Sequence, residues 1–474
     1  MDTKALRQKI LDLAIHGKLV PQDPNDEPAS VLLERIRAEK ERLIKEGKIK
    51  KGKKSAKTSD KPHYPFELPK GWVWTTVGEI SKSILYGVSE SAKSKGEYKL
   101  LRITDIKNNA VDWNTVPYTD YDEHKANAYL ISDGDILFAR TGATVGKSYL
   151  VKGLQDKAIY ASYLIRVQTF NEILPEYVKY FFESGFYWEQ IQRDSIGIGQ
   201  PNVNGTTLSQ LALSIPPINE QHRIVNELGS WLNIIDVIDN GKAELQIAIK
   251  RVKSKILDLA IHGKLVPQDP NDEPASELLK RINPKAEITC DNPQYGKLPN
   301  GWCLCRIPDV ANTFLGKTLD RSKNTGTPKD YLCAINVLWG KFDFTTHKQF
   351  LLEKNEYERY AVMKGDLMVC EGGDVGRCAI WEDDSKEIYY QNALHRIRCK
   401  EGVFNYYILY LLWHYKLNGT IDYLCKGVTI KHFTQAVMNK LDILLPPFEE
   451  QKRIVTKIEE LFAQLDKIES SLQA

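Results

Sequence analysis

The first half of this 474-residue chain contains no cysteine: all eight (Cys290, Cys303, Cys305, Cys333, Cys370, Cys378, Cys399 and Cys425) lie in the second half. A disulfide framework would not leave half a chain bare. No CxxC pair occurs and Cys303-Leu-Cys305 is a poor chelate spacing, so reduced thiols are expected and a metal site is not. No apolar run approaches the ~20 residues needed to span a bilayer, and the start, Met-Asp-Thr-Lys-Ala-Leu-Arg-Gln-Lys, lacks the apolar stretch of a secretory signal. The expectation is a cytoplasmic protein with no membrane role. Net charge is scarce as well: 65 Lys and Arg against 62 Asp and Glu leave +3, too little for composition alone to announce nucleic acid. What basic charge there is concentrates in residues 45–61, with eight lysines against two acids. That segment suits either phosphate tracking by counterion release or a solvated linker.

What the sequence has is a repeat. Lys9 to Ser30 (KILDLAIHGKLVPQDPNDEPAS) recurs residue for residue at Lys255 to Ser276, 22 identical positions, and self-similarity on that scale sets an architecture before any local pattern does. VLLERI (31–36) then matches ELLKRI (277–282), and LPKGW (68–72) matches LPNGW (298–302). GDILFARTGATVGKS (134–148) matches GDLMVCEGGDVGRC (365–378), and IPPINEQHRIV (215–225) matches LPPFEEQKRIV (445–455), in the same order in each half. Between these landmarks the halves share little. A duplicated frame with unlike intervening surfaces implies two copies that bind different versions of one ligand class. The length accommodates two domains of ~150 residues plus connectors.

The connectors carry helical periodicity. From Ile224, positions Leu228, Trp231, Ile235, Ile238, Lys242, Leu245, Ile249, Val252, Ile256 and Leu259 follow a 4-3 spacing that is apolar everywhere but Lys242, the pattern of a coiled-coil seam. Its first half recurs at Ile454, Ile458, Leu461, Leu465, Ile468 and Leu472, and its second half at Leu6, Ile10 and Leu13. The two chain ends together therefore equal one copy of the central helix. The fold class expected is α+β: two mixed α/β domains separated by an antiparallel coiled coil, in a circular internal repeat with a pseudo-two-fold axis. The boundaries read as an N-terminal helix 1–18, a basic linker 19–62, a first domain 63–217, a central spacer helix 218–262, a linker 263–292, a second domain 293–447 and a C-terminal helix 448–474. Asp239-Asn240-Gly241 reads as a turn or kink signal in the central helix.

Catalytic motifs fail on inspection. An adenine methyltransferase tetrad, [NDS]-P-P-[FYW], is imitated by Leu445-Pro-Pro-Phe448 and Ile215-Pro-Pro-Ile218, but neither has the polar first residue that would hold an amino group. Gly142-Ala-Thr-Val-Gly-Lys-Ser148 is one residue short of a phosphate-binding loop, and its partner Gly372 to Cys378 has no Lys-Ser. His16 and His262 belong to the helix repeat and have no partner ligands, so a helix-end role is expected. No catalytic residue is assigned.

Two variable domains, each opened by LPxGW and closed by a PP-x-x-EQ-x-RIV helix, together with the repeated LAIHGKLVPQDPNDEPAS segment, resemble the specificity subunits of type I restriction-modification systems over nearly the whole chain. The resemblance implies a non-catalytic DNA-binding subunit. Each target-recognition domain would read half of a split duplex target, and the helices would fix the spacing and dock two methyltransferase subunits, which restriction subunits join. It also places S-adenosylmethionine on the methyltransferase subunits and ATP and Mg on the restriction subunits, with no cofactor on this chain. The spacer and docking positions implied are Leu6, Ile10, Leu13, Ile224, Leu228, Ile235, Leu245, Ile249, Val252, Ile256, Ile454, Ile458, Leu461 and Leu465. Gly199-Gln-Pro-Asn-Val-Asn204 has the family's look near the first domain's end, whereas Lys426-Gly-Val-Thr-Ile-Lys431 matches more loosely.

Base edges call for bidentate Arg, Asn and Gln, whereas Lys, Ser and Thr suit phosphates. In Gly- or Asn-rich turns and beside divergent segments, the first domain offers Arg102, Thr104, Arg140, Thr141, Lys147, Gln200, Asn202 and Asn204. The second offers Lys317, Arg321, Lys323, Asn336, Lys426, Thr429, Lys431 and His432.

Overall fold

A computed structural model describes residues 2–49, 66–194, 202–289, 291–292, 296–320, 322, 324–425 and 432–473. The chain divides into two compact units, Met1–Gly241 and Lys242–Ala474.

In the first unit, helix Thr3–Ile15 is capped by Asp2, whose carboxylate accepts from the Ala5 amide at 3.0 Å. It buries Ile10, Leu11, Ala14 and Ile15, with Leu6 and Leu13 half-buried. The segment read as a basic linker, 19–62, contains a further helix, Ala29–Lys45, which buries Ala29, Leu32, Leu33 and Ile36 at the i, i+3, i+4, i+7 positions of one face. The lysine-rich run beyond it falls almost wholly outside the described residues.

Strand Val73–Thr76 pairs antiparallel with Ala212–Ile215, so the domain's entry and exit are hydrogen-bonded to each other. Between them an antiparallel four-stranded sheet runs in the order Ser81–Tyr86, Leu164–Thr169, Ile136–Ala139, Ser148–Leu150. Strand Ile136–Ala139 is apolar throughout because both its faces are covered, while Leu164–Thr169 adds the buried Arg166, and the period of two sends alternate residues to different cores. Ile136, Phe138, Ile165 and Val167 pack with Tyr177 and Phe181 of helix Pro175–Phe181. Leu137, Ala139 and Leu164 pack with Leu101, Ala158 and Tyr160 of a smaller three-stranded sheet that contains a parallel pair.

The second unit repeats this plan. Cys303–Arg306 pairs with Asp442–Leu445, and its four-stranded sheet has the order Ala311–Leu315, Leu394–Cys399, Leu367–Cys370, Cys378–Ile380. A three-stranded sheet again holds one parallel pair, Tyr331 and Leu332 beside Tyr389 and Tyr390. The helix pair Pro175–Phe181 and Gly185–Asp194 of the first unit is answered in the second by Asn405–Leu417 and Thr420–Leu424, with the break moved toward the C-terminal end. The expected linker 263–292 carries helix Ala275–Ile282. All seven described cysteines are free, and burial raises the thiol of Cys370 to about 11.

The repeated motifs meet at one point in each unit. In the first, Trp72 Nε1 donates to Glu220 Oε2 at 3.0 Å and Gln22 Nε2 to Glu220 Oε1 at 3.1 Å, while Arg223 pairs with Asp26 at 2.7 Å. In the second, Trp302 Nε1 donates to Glu450 Oε2 at 3.0 Å, Gln268 to Glu450 Oε1 at 3.2 Å, and Arg453 pairs with Asp272 at 2.6 Å. The neighbouring glutamines act alike: Gln221 and Gln451 each accept from the amide that opens the covering helix, Leu174 at 3.1 Å and Phe404 at 2.8 Å. Burial pushes both glutamates above the usual carboxylate range, and these donors pull them back. His16 and His262 place Nδ1 at 2.6 and 2.7 Å from the carbonyls of Asp12 and Asp258, the helix-end role expected of them.

The spacer helix runs from Ile218 to Ile261 without a turn at Asp239-Asn240-Gly241. In the first unit helix Thr3–Ile15 lies antiparallel to it: Arg7 pairs with Asp236, and Gln22, past the helix end, reaches Glu220. In the second, helix Phe448–Gln473 does the same, with Lys253 2.5 Å from Asp466 and Gln268 on Glu450. Ile224, Leu228, Ile235, Ile249, Ile256, Ile454 and Ile458 are buried, and Leu461 and Leu465 are half-buried. Leu245 and Val252 depart from the expected seam: they are 39% and 45% exposed, and Trp231 is exposed as well. Leu232 and Leu257 are buried in addition, because each unit's helix turns its apolar face toward its own domain.

Two substitutions, with a third as their control, test this frame. Trp302→Phe keeps an aromatic ring but leaves a buried carboxylate oxygen short of a donor, which should destabilise the second unit by about 1.5–3 kcal/mol, read as a lower urea midpoint. Gly263→Ala should do similar damage, because Gly263 has φ +63° and a Cβ there would lie 2.5 Å from Pro299 Cγ. Gly47→Ala, at φ +72° with nothing within 4 Å, should show only the left-handed backbone penalty of about 1–2 kcal/mol.

Candidate nucleic-acid interface

Strand Ile136–Ala139 ends at Arg140, whose backbone is held on both sides: its N–H donates to Tyr163 O at 3.1 Å and its carbonyl accepts from Val203 N at 3.0 Å. The guanidinium lies 4.8 Å over the ring of Tyr86, with a single long hydrogen bond from Nη1 to Ser162 O at 3.5 Å. Its Nε is buried without a partner among the described residues. Thr141 bridges to Asn202, and the Tyr86 hydroxyl accepts from Gly205 N at 2.6 Å. Four of the expected contacts, Arg140, Thr141, Asn202 and Asn204, are therefore gathered around Tyr86. Asn204 also acts within the fold, because its Oδ1 accepts from the amides of Thr206 and Thr207, both at 2.9 Å, and caps helix Gly205–Gln210.

Of the other first-unit candidates, Lys147 lines a neighbouring cleft of about 340 Å³, together with Ile103, Asn108, Asn109 and Thr144, among others. Lys147 is exposed. Thr104 lies in the adjoining turn Ile103–Asp105. Arg102 is partly exposed, but its fork is filled by Asp105, with Nε and Nη2 at 3.0 and 2.7 Å from the two carboxylate oxygens, and this pairing raises its pKa. The glycine turn Gly142–Thr144 leads into strand Ser148–Leu150. A phosphate-binding loop would open a helix there.

In the second unit the structure corrects two assignments. Asn336 is buried: its Oδ1 accepts from Cys333 N, and its Nδ2 donates to the carbonyls of Asp343 and Thr346, each at 2.9 Å. No capacity remains for a base edge, so the side chain is a structural clamp. Lys317 is likewise buried, paired with Glu356 and 5.8 Å from the ring centroid of Tyr360. His432 is 48% exposed, with Nδ1 3.8 Å from Glu371 Oε1. Gln200, Arg321, Lys323, Lys426, Thr429 and Lys431 lie outside the described residues.

Residue-type reasoning missed Tyr86, Tyr163, Glu371 and His395. Tyr163 is 61% exposed beside Arg140. Glu371 occupies the place of Arg140, its N–H donating to Ala393 O at 2.9 Å and its carbonyl accepting from Phe433 N at 2.7 Å. His395 is buried with Nε2 3.3 Å from Glu371 Oε2, and desolvation lowers its pKa to about 4, so it is neutral at pH 7. Burial also raises the Glu371 carboxyl, while His432 lowers it. The signal for Glu371 stood in the aligned motifs, where Ala-Arg-Thr-Gly faces Cys-Glu-Gly-Gly. A search for donors alone passes over an acid.

Among the described residues no three or more His, Cys, Asp or Glu side chains form a cluster that could hold a metal ion, and no helix is long and apolar enough to cross a membrane.

Comparison with known proteins gives a consistent picture. The family described as "Type I restriction modification DNA specificity domain" matches residues 69–246 and 299–474. The EcoEI specificity subunit of Escherichia coli is 28% identical over 99% of this chain and 91% of its own length. The EcoAI specificity subunit of the same species is 27% identical over 98% and 90%. A solved chain of a type I R-M system, from work on its complex assembly and conformational transition, superposes with a TM-score of 0.63 at 18% identity, covering 86% of this chain and 94% of that one, which shows a common fold.

The clamp role of Asn336 is testable apart from DNA. Asn336→Ala should lower folding stability by about 1–3 kcal/mol through the buried groups it leaves unpaired. An unchanged denaturation midpoint would return the residue to the surface.

Proposed function

The chain belongs to the family of type I restriction-modification DNA specificity proteins, and we propose that each unit reads one half of a split, asymmetric duplex target while the helices set the distance between the halves. The observation that carries this reading is the contrast between frame and reading end. Trp72 with Glu220 and Trp302 with Glu450 repeat bond for bond, whereas Arg140 is replaced by Glu371 and Asn202 by His432 at the strand ends. Two domains built to read the same sequence would have no reason to differ there, so the half-sites are unlike.

As a specificity subunit the chain selects DNA and leaves catalysis to its partners. In this reading the spacer helices dock two methyltransferase subunits, which restriction subunits join. The apolar side chains left exposed on helix Ile218–Ile261, among them Trp231, Val237 and Ile247, are candidate contacts. S-adenosylmethionine would sit on the methyltransferase subunits, ATP and Mg on the restriction subunits, and the assembly would work in the cytoplasm.

The spacer gives the test. Removing one heptad between residues 224 and 259 shortens the helix by ~10 Å at ~1.5 Å per residue, equivalent to about 3 base pairs at ~3.4 Å each. Sequencing the sites methylated by the assembled complex should show the gap between half-sites changed by that order, or methylation lost. Retention of the original gap would contradict the ruler, and methyl transfer by the isolated chain would contradict the non-catalytic role.

A further inference from the structure

Arg140 and Glu371 occupy the same backbone position in two frames of the same design. Leu164 pairs with Ala139 as Leu394 pairs with Cys370, so the next residue in each chain is Arg140 or Glu371. Each is fixed by the same two backbone hydrogen bonds, an N–H to the turn before the adjacent strand and a carbonyl to Val203 or Phe433. The side chains start from one place with opposite charge. Each also keeps a buried polar atom that makes no hydrogen bond among the described residues: Arg140 Nε, and Glu371 Oε2, whose neighbour His395 Nε2 at 3.3 Å is not in hydrogen-bonding geometry. Native folds rarely leave such groups unpaired unless a ligand, ion or water completes them. Arg140 lies over Tyr86, and Glu371 lies between buried His395 and half-exposed His432.

A carboxylate on a surface that meets a polyanion is repelled by every phosphate, so it persists where it gains a specific donor and rejects wrong partners. The major-groove edges narrow the choice. Guanine shows N7 and O6 acceptors, and thymine an O4 acceptor and a methyl group. Adenine sets an N7 acceptor beside its amino group, and cytosine offers its N4 amino group. An acceptor-only side chain is therefore matched best by cytosine, and a donor-only fork by guanine.

We propose that this position sets base specificity in both units: Arg140 presents its donor fork to a guanine in the first half-site, and Glu371, backed by His432, accepts from a cytosine amino group in the second. The inference rests on the reading that each unit recognises one half-site.

The test uses the full chain assembled with its methyltransferase subunits and a DNA library varied at every position of the target, comparing wild type with Glu371→Arg, Glu371→Gln and Arg140→Gln. At one base pair of the second half-site, Glu371→Arg should change the preference from cytosine to guanine, by about tenfold or more. The near-isosteric Glu371→Gln carries the same test should the arginine variant fail to fold, and should shift that base pair toward adenine. Arg140→Gln should alter one guanine of the first half-site only. Glu371 variants that bind with the wild-type preference at every position, or that change the first half-site instead, overturn the inference while leaving split-target reading intact. A wild-type complex that selects no split sequence overturns both.

Discussion

Taking a carboxylate out of water is tolerated only where donors replace the lost solvation, and at Glu220 and Glu450 those donors arrive from segments far apart in the chain. The indole comes from the LPxGW entry, the amide from the turn after the repeated helix, and the carboxylate from the first turn of the exit helix. The adjacent Asp26–Arg223 and Asp272–Arg453 pairs close the same junction. Each domain is thus joined to its helices at one desolvated point, and every residue there is part of the duplication.

This junction explains which parts of the sequence vary. The strand pair that opens and closes each domain, Val73 against Ile215 and Cys303 against Leu445, holds the same register in both units. The central strands fill two cores with alternate side chains, which requires apolar character but not particular residues: Phe138 in one unit corresponds to Val369 in the other. The polar residues at the far ends of those strands are answerable to neither constraint. Arg140 and Glu371 can exchange charge without disturbing what holds them, because both are fixed through the backbone.

The repeat and the helical period made most of this frame legible, since twenty-two identical residues fold identically: Ile10, Leu11, Ala14 and Ile15 are buried just as Ile256, Leu257, Ala260 and Ile261 are. Helix Ala29–Lys45 was obscured by its charged second half, although Ala29, Leu32, Leu33 and Ile36 share a face. The reading end was less legible for a physical reason. Residue type distinguishes donors from acceptors but does not reveal whether the fold has already satisfied them, and Asn336 and Lys317 are satisfied internally. Arg140 instead keeps a buried Nε without a partner among the described residues, and His432 stays half-exposed beside Glu371. Heptad spacing likewise marked Leu245 and Val252 as seam positions, yet both are exposed, since periodicity names a face and only packing decides what covers it.

If frame and reading surface are separable, a domain should be replaceable between the paired strands. The most direct measurement is the methylated target of a complex whose chain carries residues 303–445 in place of residues 73–215 as well as in their own position. The account predicts a target made of the second half-site twice, with the first half-site gone. A well-folded chimera that still selects the original asymmetric target would contradict it.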